Sequence, residues 1–432
     1  MEQLPVWVLS LGCPKNTVDT EHFLGTLGLD IVTVSELADA KLVFINTCGF
    51  IESAVRESVR AILEVVDEIK ELPNKPLVVV GGCLVGRYGA KELAAEIPEV
   101  DLFLATSDLD RWPEYVRKLI GCDLSQTPKV GRLLSTPPSY AWLKIAEGCR
   151  HNCAFCSIPM IRGTLKSVSS SQIVGEAKEL LDHGVKELIC VAQDVASWGQ
   201  DKGESLQDLI RELVRLPNLL WLRLLYLYPA GLTPDFLQFM ADNLFPLLPY
   251  FDIPIQHSHP QILERMGRPF ARDPRYVLDL VRKYLPKAIF RTTVIVGFPG
   301  ETEEHFRHLL RFVEEGYFLH LGVFSYEREE GTKAYDYKDQ VPKDLADERR
   351  QILLEAQRCV SSDLLEEYVG QKYDVLIDSV NPEWPGLFNG RVWFQAPEVD
   401  GQTYISGDGI QVGSCVNAEI VESSDYDLTA LL

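Results

Sequence analysis

The sequence predicts an α/β protein in three parts: an N-terminal parallel α/β domain, a central partial (β/α)6 barrel and a small antiparallel β-barrel at the C-terminus. Three observations predict it. The chain has 432 residues, enough for two to four domains of about 100 to 200 residues each. Short apolar runs alternate with longer amphipathic segments through most of its length, the punctuation of βαβ units. After a charged helical stretch, Lys343 to Tyr368, the pattern changes to short β-like runs set among turn residues.

In chain order, Val6 to Leu9, Leu42 to Ile45 and Leu77 to Val80 are strand-like, and each is followed by a helical pattern. At Ser135 to Tyr140 the paired prolines Pro137 and Pro138 stop either kind of element, which closes a first domain at residues 1–134. A second series follows over 135–366, with strand candidates Trp142 to Ala146, Glu187 to Val191, Leu222 to Leu227, Phe251 to Ile255, Arg291 to Val296 and Leu319 to Ser325. These are too few for a closed eight-stranded barrel, yet functional residues should still gather at the carboxyl ends of the strands. Over 367–432 the runs Tyr373 to Asp378, Arg391 to Gln395, Thr403 to Ser406 and Val416 to Val421 are separated or flanked by Asn389-Gly390, Asp400-Gly401 and Asp408-Gly409, as in a small barrel.

Apolar residues make up 46% and charged residues 24%, which excludes disordered, collagen-like and membrane-embedded classes. The most apolar stretch, Leu216 to Leu232, is broken by Pro217, Asn218, Arg223 and Pro229, so it cannot supply the roughly 20 residues of a membrane helix. Met1 to Cys13 shows no basic cluster with a long apolar run behind it, and the expected location is the cytoplasm. The formal net charge of −21 repels phosphate backbones, so no dedicated nucleic-acid binding is expected. Ten cysteines without a secretory signal point to metal or catalytic chemistry rather than to disulfides.

Cys149, Cys153 and Cys156 form a CxxxCxxC loop just after the first strand of the central series. Three thiolates on one short loop can hold three irons of a cubane cluster and leave the fourth open, as a reactive centre requires. The alternatives are a zinc knuckle or three ordinary buried cysteines; His151 either lends a nitrogen or packs on the loop. A second trio, Cys13, Cys48 and Cys83, is spaced by 35 and again by 35 residues, each a few residues beyond a strand candidate. In a parallel sheet such loops share one edge, so the thiols can converge, and Gly12, Gly49, Gly81 and Gly82 allow the backbone to come close to a bulky group. Small cysteines at strand ends are also common as plain core residues. Cys122, Cys190, Cys359 and Cys415 lack any such arrangement and read as packing.

The string Leu11, Gly12, Cys13, Pro14, Lys15 and Asn16, with Asp19 and Glu21, stands at the first trio. The CxxxCxxC loop is followed by Ile158-Pro159 and Arg162-Gly163, by Gln193-Asp194, by Pro254 to His257 and by Gly297 to Glu301. With these motifs the chain resembles, over essentially its whole length, the radical S-adenosylmethionine methylthiotransferases. Within them it looks like the branch that modifies an aspartate of a ribosomal protein, the RimO type. Relatives that modify adenosine in tRNA, the alternative assignment, usually differ after the first cysteine.

The resemblance implies two 4Fe-4S clusters and S-adenosyl-L-methionine as cosubstrate. Cys149, Cys153 and Cys156 would hold the radical cluster, with the methionyl amine and carboxylate on its open iron and electrons from a donor such as flavodoxin or ferredoxin. Reductive cleavage would release a deoxyadenosyl radical, needed because an unactivated C–H bond has no acidic proton for a general base. Cys13, Cys48 and Cys83 would hold the auxiliary cluster that delivers sulfur, while a second cosubstrate molecule supplies the methyl group. The implied target is the β-carbon of an aspartate in small-subunit ribosomal protein twelve, modified by a monomeric enzyme. Gln193, Asp194, Gln256, Arg268, Gly297 and Gly300 are the cosubstrate-binding candidates, with loop geometry and capping as the competing reading. The C-terminal segment resembles a TRAM module, often associated with RNA. From Val369 to Leu432 it carries ten acidic residues against Lys372 and Arg391. Since phosphate binding depends on Lys and Arg, this favours a basic ribosomal protein as partner, or a merely solubilising surface.

Overall fold

The computed structural model describes residues 3–28, 30–122, 131–268 and 273–432. The first unit runs β1 (Leu4–Ser10), α1 (Pro14–Thr26), β2 (Ile31–Thr33), β3 (Leu42–Thr47), α2 (Glu52–Lys70), β4 (Leu77–Gly82), α3 (Cys83–Tyr88), α4 (Ala90–Glu96), β5 (Leu102–Ala105) and α5 (Trp112–Leu119). All five strands are parallel, in the order β2-β1-β3-β4-β5. The central strand β3 is buried along its whole length, which is why it reads as one apolar run rather than an alternation. The strand order reverses between β1 and β3, so the crevice outside their carboxyl ends is a topological switch point. The edge strands β2 and β5, of three and four residues, have too few residues to show a period and were not among the expected strands.

The central unit runs β6 (Tyr140–Lys144), β7 (Ala146–Glu147), α6 (Ile158–Arg162), β8 (Lys166–Ser167), α7 (Ser170–Asp182), β9 (Glu187–Val191), α8 (Leu206–Leu213), β10 (Trp221–Leu224), α9 (Pro234–Asp242), β11 (Tyr250–Asp252), α10 (Pro260–Arg265), α11 (Pro274–Tyr284), β12 (Ile289–Val296), α12 (Glu303–Glu314), β13 (His320–Ser325) and α13 (Lys343–Glu366). Its six long-range strands are parallel and form two three-stranded sheets, β10-β9-β6 and β11-β12-β13. The sheets meet where Leu248 N–H donates to Leu222 O at 2.9 Å, giving an open six-stranded barrel as expected. β7 and β8 form a small antiparallel pair that brackets the CxxxCxxC loop.

The last unit is a closed barrel of β14 (Lys372–Val380), β15 (Leu387–Arg391), β16 (Thr403–Ser406), β17 (Cys415–Ser423) and β18 (Leu428–Leu431) in the order β14-β15-β16-β18-β17. Its pairings are antiparallel except β16 with β18, which is parallel. The sequence expectation of a strand over Arg391 to Gln395 is corrected here. The ladder lies earlier and includes Asn389 and Gly390, expected as a turn; a Cβ on Gly390 would stand 2.7 Å from Leu376 O, so only glycine lets the strands cross there. Val392, Phe394 and Gln395 are buried in a turn, where Gln395 Oε1 accepts from Val392 N–H at 3.1 Å and from the Thr403 hydroxyl at 2.7 Å.

This barrel seats on the amino ends of the central strands. Arg391 reaches Glu187 at 2.6 Å and Asp378 at 2.7 Å, and Glu187 also accepts from Arg223 at 2.7 Å. Tyr250 donates to Asp400 at 2.6 Å, Arg291 lies 3.2 Å from both Asp252 and Asp400, Tyr140 donates to Glu398 at 2.8 Å and Ser139 to Asp378 at 2.6 Å. Three of the ten barrel acids, Asp378, Glu398 and Asp400, are therefore used at this seam, and a fourth, Asp425, meets Arg358 of α13 at 3.1 Å.

Candidate functional site

Cys13, Cys48 and Cys83 follow β1, β3 and β4, three neighbouring parallel strands, so their loops lie side by side at one sheet edge. Gly12, at φ +97°, is required by that convergence: a Cβ on it would stand 2.9 Å from Cys48 Cβ and 3.2 Å from its Sγ. Asn16 Nδ2 ties the turn by donating to Leu11 O at 2.7 Å and Thr47 O at 3.1 Å. Burial pushes the Cys83 thiol up to about 12, with Arg162 opposing and Cys13 and Cys48 adding to the rise; burial also raises Cys48.

Cys149, Cys153 and Cys156 lie between β7 and α6. Their loop is pinned by Cys149 N–H to Gly163 O at 3.1 Å, Cys156 N–H to Cys153 O at 3.2 Å and Ala154 N–H to Met266 O at 2.9 Å. Burial pushes Cys156 up to about 12, offset in part by the Ile158 amide and reinforced by Cys153 and Cys149. Buried thiols of this kind become thiolates when they bind metal. Among the described residues no three His, Cys, Asp or Glu side chains close on a single ion. Three thiols on one loop are soft donors of the kind that hold the separate corners of an iron-sulfur cluster. His151 is taken up by packing: Nε2 lies 2.7 Å from Asp194 Oδ2 and the ring stacks on Tyr228 with centroids 3.5 Å apart.

The other candidates sit at strand carboxyl ends around this loop. Asp194, beyond β9, also accepts from the backbone N–H groups of Ala196 at 3.0 Å and Tyr228 at 3.2 Å and from the Ser197 hydroxyl, so its carboxylate serves loop geometry. Gln193 donates to Glu147 at 2.9 Å while its Oε1 is buried without a hydrogen-bond partner. Gln256, at φ +72°, is tied to β12 by Gln256 N–H to Thr293 O at 2.9 Å and Ile295 N–H to Gln256 O at 2.7 Å. Arg268 reaches the loop directly, with Nη1 3.6 Å from Cys153 Sγ and its guanidinium 4.4 Å over the Tyr228 ring. Gly297 and Gly300 have a packing account: a Cβ would meet Ala346 Cβ of α13 at 2.3 Å and the Arg265 guanidinium carbon at 2.9 Å respectively.

Between the two trios runs a buried polar network. Arg162 donates to Cys83 Sγ at 3.2 Å, Asn16 Oδ1 at 2.5 Å, Asp19 at 3.2 Å and Glu147 at 2.8 Å. Lys144 binds Asp19 and, at 3.0 Å, Glu147. Against the upward push of burial, Lys144 and Arg162 hold the Glu147 carboxyl well below its ordinary value. Nearby, Lys15 Nζ lies 3.9 Å from the ring centre of Tyr226 and 3.5 Å from Ala192 O. Asn16, Asp19, Lys15 and Arg162 belong to motifs quoted from the sequence, whereas Lys144, Glu147 and Tyr226 carried no signal beyond their position at strand ends. A cleft of 870 Å³, lined among others by Ile51, Arg56, Phe324 and Tyr326, opens three residues beyond Cys48 between α2 and the end of β13.

The radical SAM superfamily model matches residues 143–313, a model described as uncharacterized protein family UPF0004 matches 5–105, and a TRAM domain model matches 369–432. The chain is 55% identical over 430 residues to the ribosomal protein uS12 methylthiotransferase RimO of Oleidesulfovibrio alaskensis, covering 99% of this chain and 100% of that one. The protein of the same name from Aquifex aeolicus is 43% identical, covering 98% and 96%. Among solved structures, the radical S-adenosylmethionine methyltransferase TsrM from Kitasatospora setae, with tryptophan and a SAM analog bound, matches with TM-score 0.55 at 16% identity, over 74% of this chain and 72% of that chain. That likeness is one of fold.

Proposed function

The chain belongs to the RimO family of radical S-adenosylmethionine ribosomal protein methylthiotransferases, and from that membership we propose the target, the cofactors and the residues that serve them. The target is the β-carbon of an aspartate in ribosomal protein uS12, approached through the cleft beside Cys48. Cys149, Cys153 and Cys156 hold one 4Fe-4S cluster and Cys13, Cys48 and Cys83 a second. The supporting observation is that two sets of three thiols, soft donors suited to iron-sulfur centres, flank one buried interface joined by Arg162. A cluster with an open iron supplies one-electron cleavage of S-adenosylmethionine, which gives the radical that an unactivated C–H bond requires.

The chain's own residues orient and shield. Asp194, His151 and Tyr228 fix the CxxxCxxC loop, and Arg268 bears on Cys153. Gln193 offers its unpartnered Oε1 to the cosubstrate, with Gln256 and the backbone at Gly297 and Gly300 completing the mouth. Arg162 closes the wall between the sites and donates to the Cys83 sulfur. The functional units divide at residues 134 and 366. Electrons come from flavodoxin or ferredoxin, and the enzyme acts as a cytoplasmic monomer. No helix among the described residues is long and apolar enough to cross a membrane. The experiment is anaerobic incubation of reconstituted, reduced enzyme with S-adenosylmethionine and either uS12 or tRNA. A methylthio mass increment on the uS12 aspartate is expected; modification of tRNA alone overturns the proposal.

A further inference from the structure

Among the described residues, Arg162, Lys144 and Lys15 lie where the N-terminal unit covers the mouth of the central barrel. Arg162 and Lys144 share the carboxylates of Asp19 and Glu147, so two positive charges meet two negative ones. Lys15 is the third. It is 7% exposed, yet no carboxylate among the described residues pairs with it. Its ammonium has one carbonyl, Ala192 O at 3.5 Å, and the face of Tyr226; burial disfavours the charge, and Tyr226, the Cys13 sulfur and Glu147, none of them a paired carboxylate, offset that. Lysine is almost never buried unless paired, and the cost of desolvating an unmatched charge is large. A cation–π contact gives about 0.5–2 kcal/mol and leaves ammonium protons without acceptors, since Lys carries three donors.

The position of this charge gives it meaning. Lys15 stands two residues beyond Cys13, at the edge of the first trio, and reaches across to the carboxyl ends of β9 and β10, where Ala192 and Tyr226 lie. Tyr226, whose ring meets the ammonium, has φ +58°, outside the region favoured by residues with side chains. One residue from Ala192, Gln193 Oε1 is also buried without a partner.

Resting on the proposed reaction at an aspartate, we propose that Lys15 is the specificity-determining residue that receives the side-chain carboxylate of the target aspartate. Its ammonium pairs with the carboxylate and so fixes the adjacent β-carbon between the two cysteine sites. A neutral asparagine leaves the buried charge unmatched.

The test crosses two enzymes with two substrates: wild type and Lys15→Met, each given uS12 and uS12 with its target aspartate changed to asparagine. Variants are compared only at equal iron and sulfide content. The wild type is expected to prefer aspartate by about 100-fold in kcat/KM, the size that loss of a buried charge-assisted contact gives. Lys15→Met should lose about 100-fold on the aspartate substrate, bringing the preference to within a few-fold of unity. Should that variant fail to load iron, Lys15→Gln, which keeps a polar head, carries the same comparison. A wild type that modifies both substrates equally overturns the role of Lys15 alone. So does a variant that loses rate on both in proportion, which would mean that Lys15 only balances charge near Cys13. A wild type that modifies neither uS12 nor its asparagine form overturns the reaction itself.

Discussion

The two ends of the central barrel bury charge in different ways. At the amino ends, under the C-terminal barrel, each buried cation has a carboxylate: Arg223 and Arg391 share Glu187, Arg391 also binds Asp378, and Arg291 lies between Asp252 and Asp400. At the carboxyl ends, under the N-terminal unit, Arg162 and Lys144 are paired with carboxylates, whereas among the described residues Lys15 has none and Gln193 Oε1 has no hydrogen-bond partner. Charges that only join units close among themselves, because an unmatched buried ion costs several kcal/mol. Single polar atoms without partners occur at both ends, Arg223 Nη1 and Nη2 at the amino ends and Gln193 Oε1 at the carboxyl ends; the difference lies in Lys15, a whole ammonium with no carboxylate among the described residues. One end is a joint; the other is a joint built around a reaction site.

The largest effects separate the two cysteine trios at the open end. Replacing Cys149, Cys153 and Cys156 with Ala should abolish 5′-deoxyadenosine formation, read by chromatography after dithionite treatment. Replacing Cys13, Cys48 and Cys83 should leave deoxyadenosine and remove the methylthiolated product. Next come the joints. Arg162→Gln leaves Lys144 as the cation shared by Asp19 and Glu147, and Arg391→Gln leaves Glu187 to Arg223 and Asp378 to the Ser139 hydroxyl; each is expected to cost about 1.5–3 kcal/mol, seen as a lower urea midpoint. The contrast is sharpened by activity: Arg391→Gln should keep deoxyadenosine formation per folded molecule, since its contacts lie at the far end of the strands, while Arg162→Gln also perturbs Cys83.

Acid should loosen the open end through Glu147. Its carboxyl is depressed in the fold despite burial, so its stabilising contribution is complete above the ordinary value of 4.5 and falls away as pH drops below it. Urea midpoints measured from pH 6 down to about pH 3 should decline less steeply in Glu147→Gln than in the wild type. The smallest effect serves as the reference: breaking the exposed pair Arg307–Glu303, both side chains more than half exposed, should change stability by no more than about 0.5 kcal/mol.

Legibility in the sequence followed the reach of the interactions. β9 and β16 lie where the sequence placed them, β9 because a strand buried throughout is a run of apolar residues and β16 because a strand with one covered face alternates. The short strands β2, β5 and β18 were missed, and Val392 to Gln395 misread, because burial in a turn produces the same alternation as a ladder. The placement of Cys13, Cys48 and Cys83 along one sheet edge was legible because each lies one to three residues beyond its strand. The Arg162 network and the Lys15–Tyr226 contact were not, because they join residues 146 and 211 positions apart across a domain boundary. At Gly297 and Gly300 an added Cβ would meet Ala346 and Arg265, a packing reason for glycine that the sequence does not show beside the one read from it.

The most direct test is a metal count on protein prepared without oxygen, taken with Mössbauer spectra. The account predicts about eight irons and eight sulfides per chain as two 4Fe-4S clusters, falling to about four when either trio is replaced. Zinc in place of iron, or an iron content untouched by loss of Cys13, Cys48 and Cys83, would contradict it.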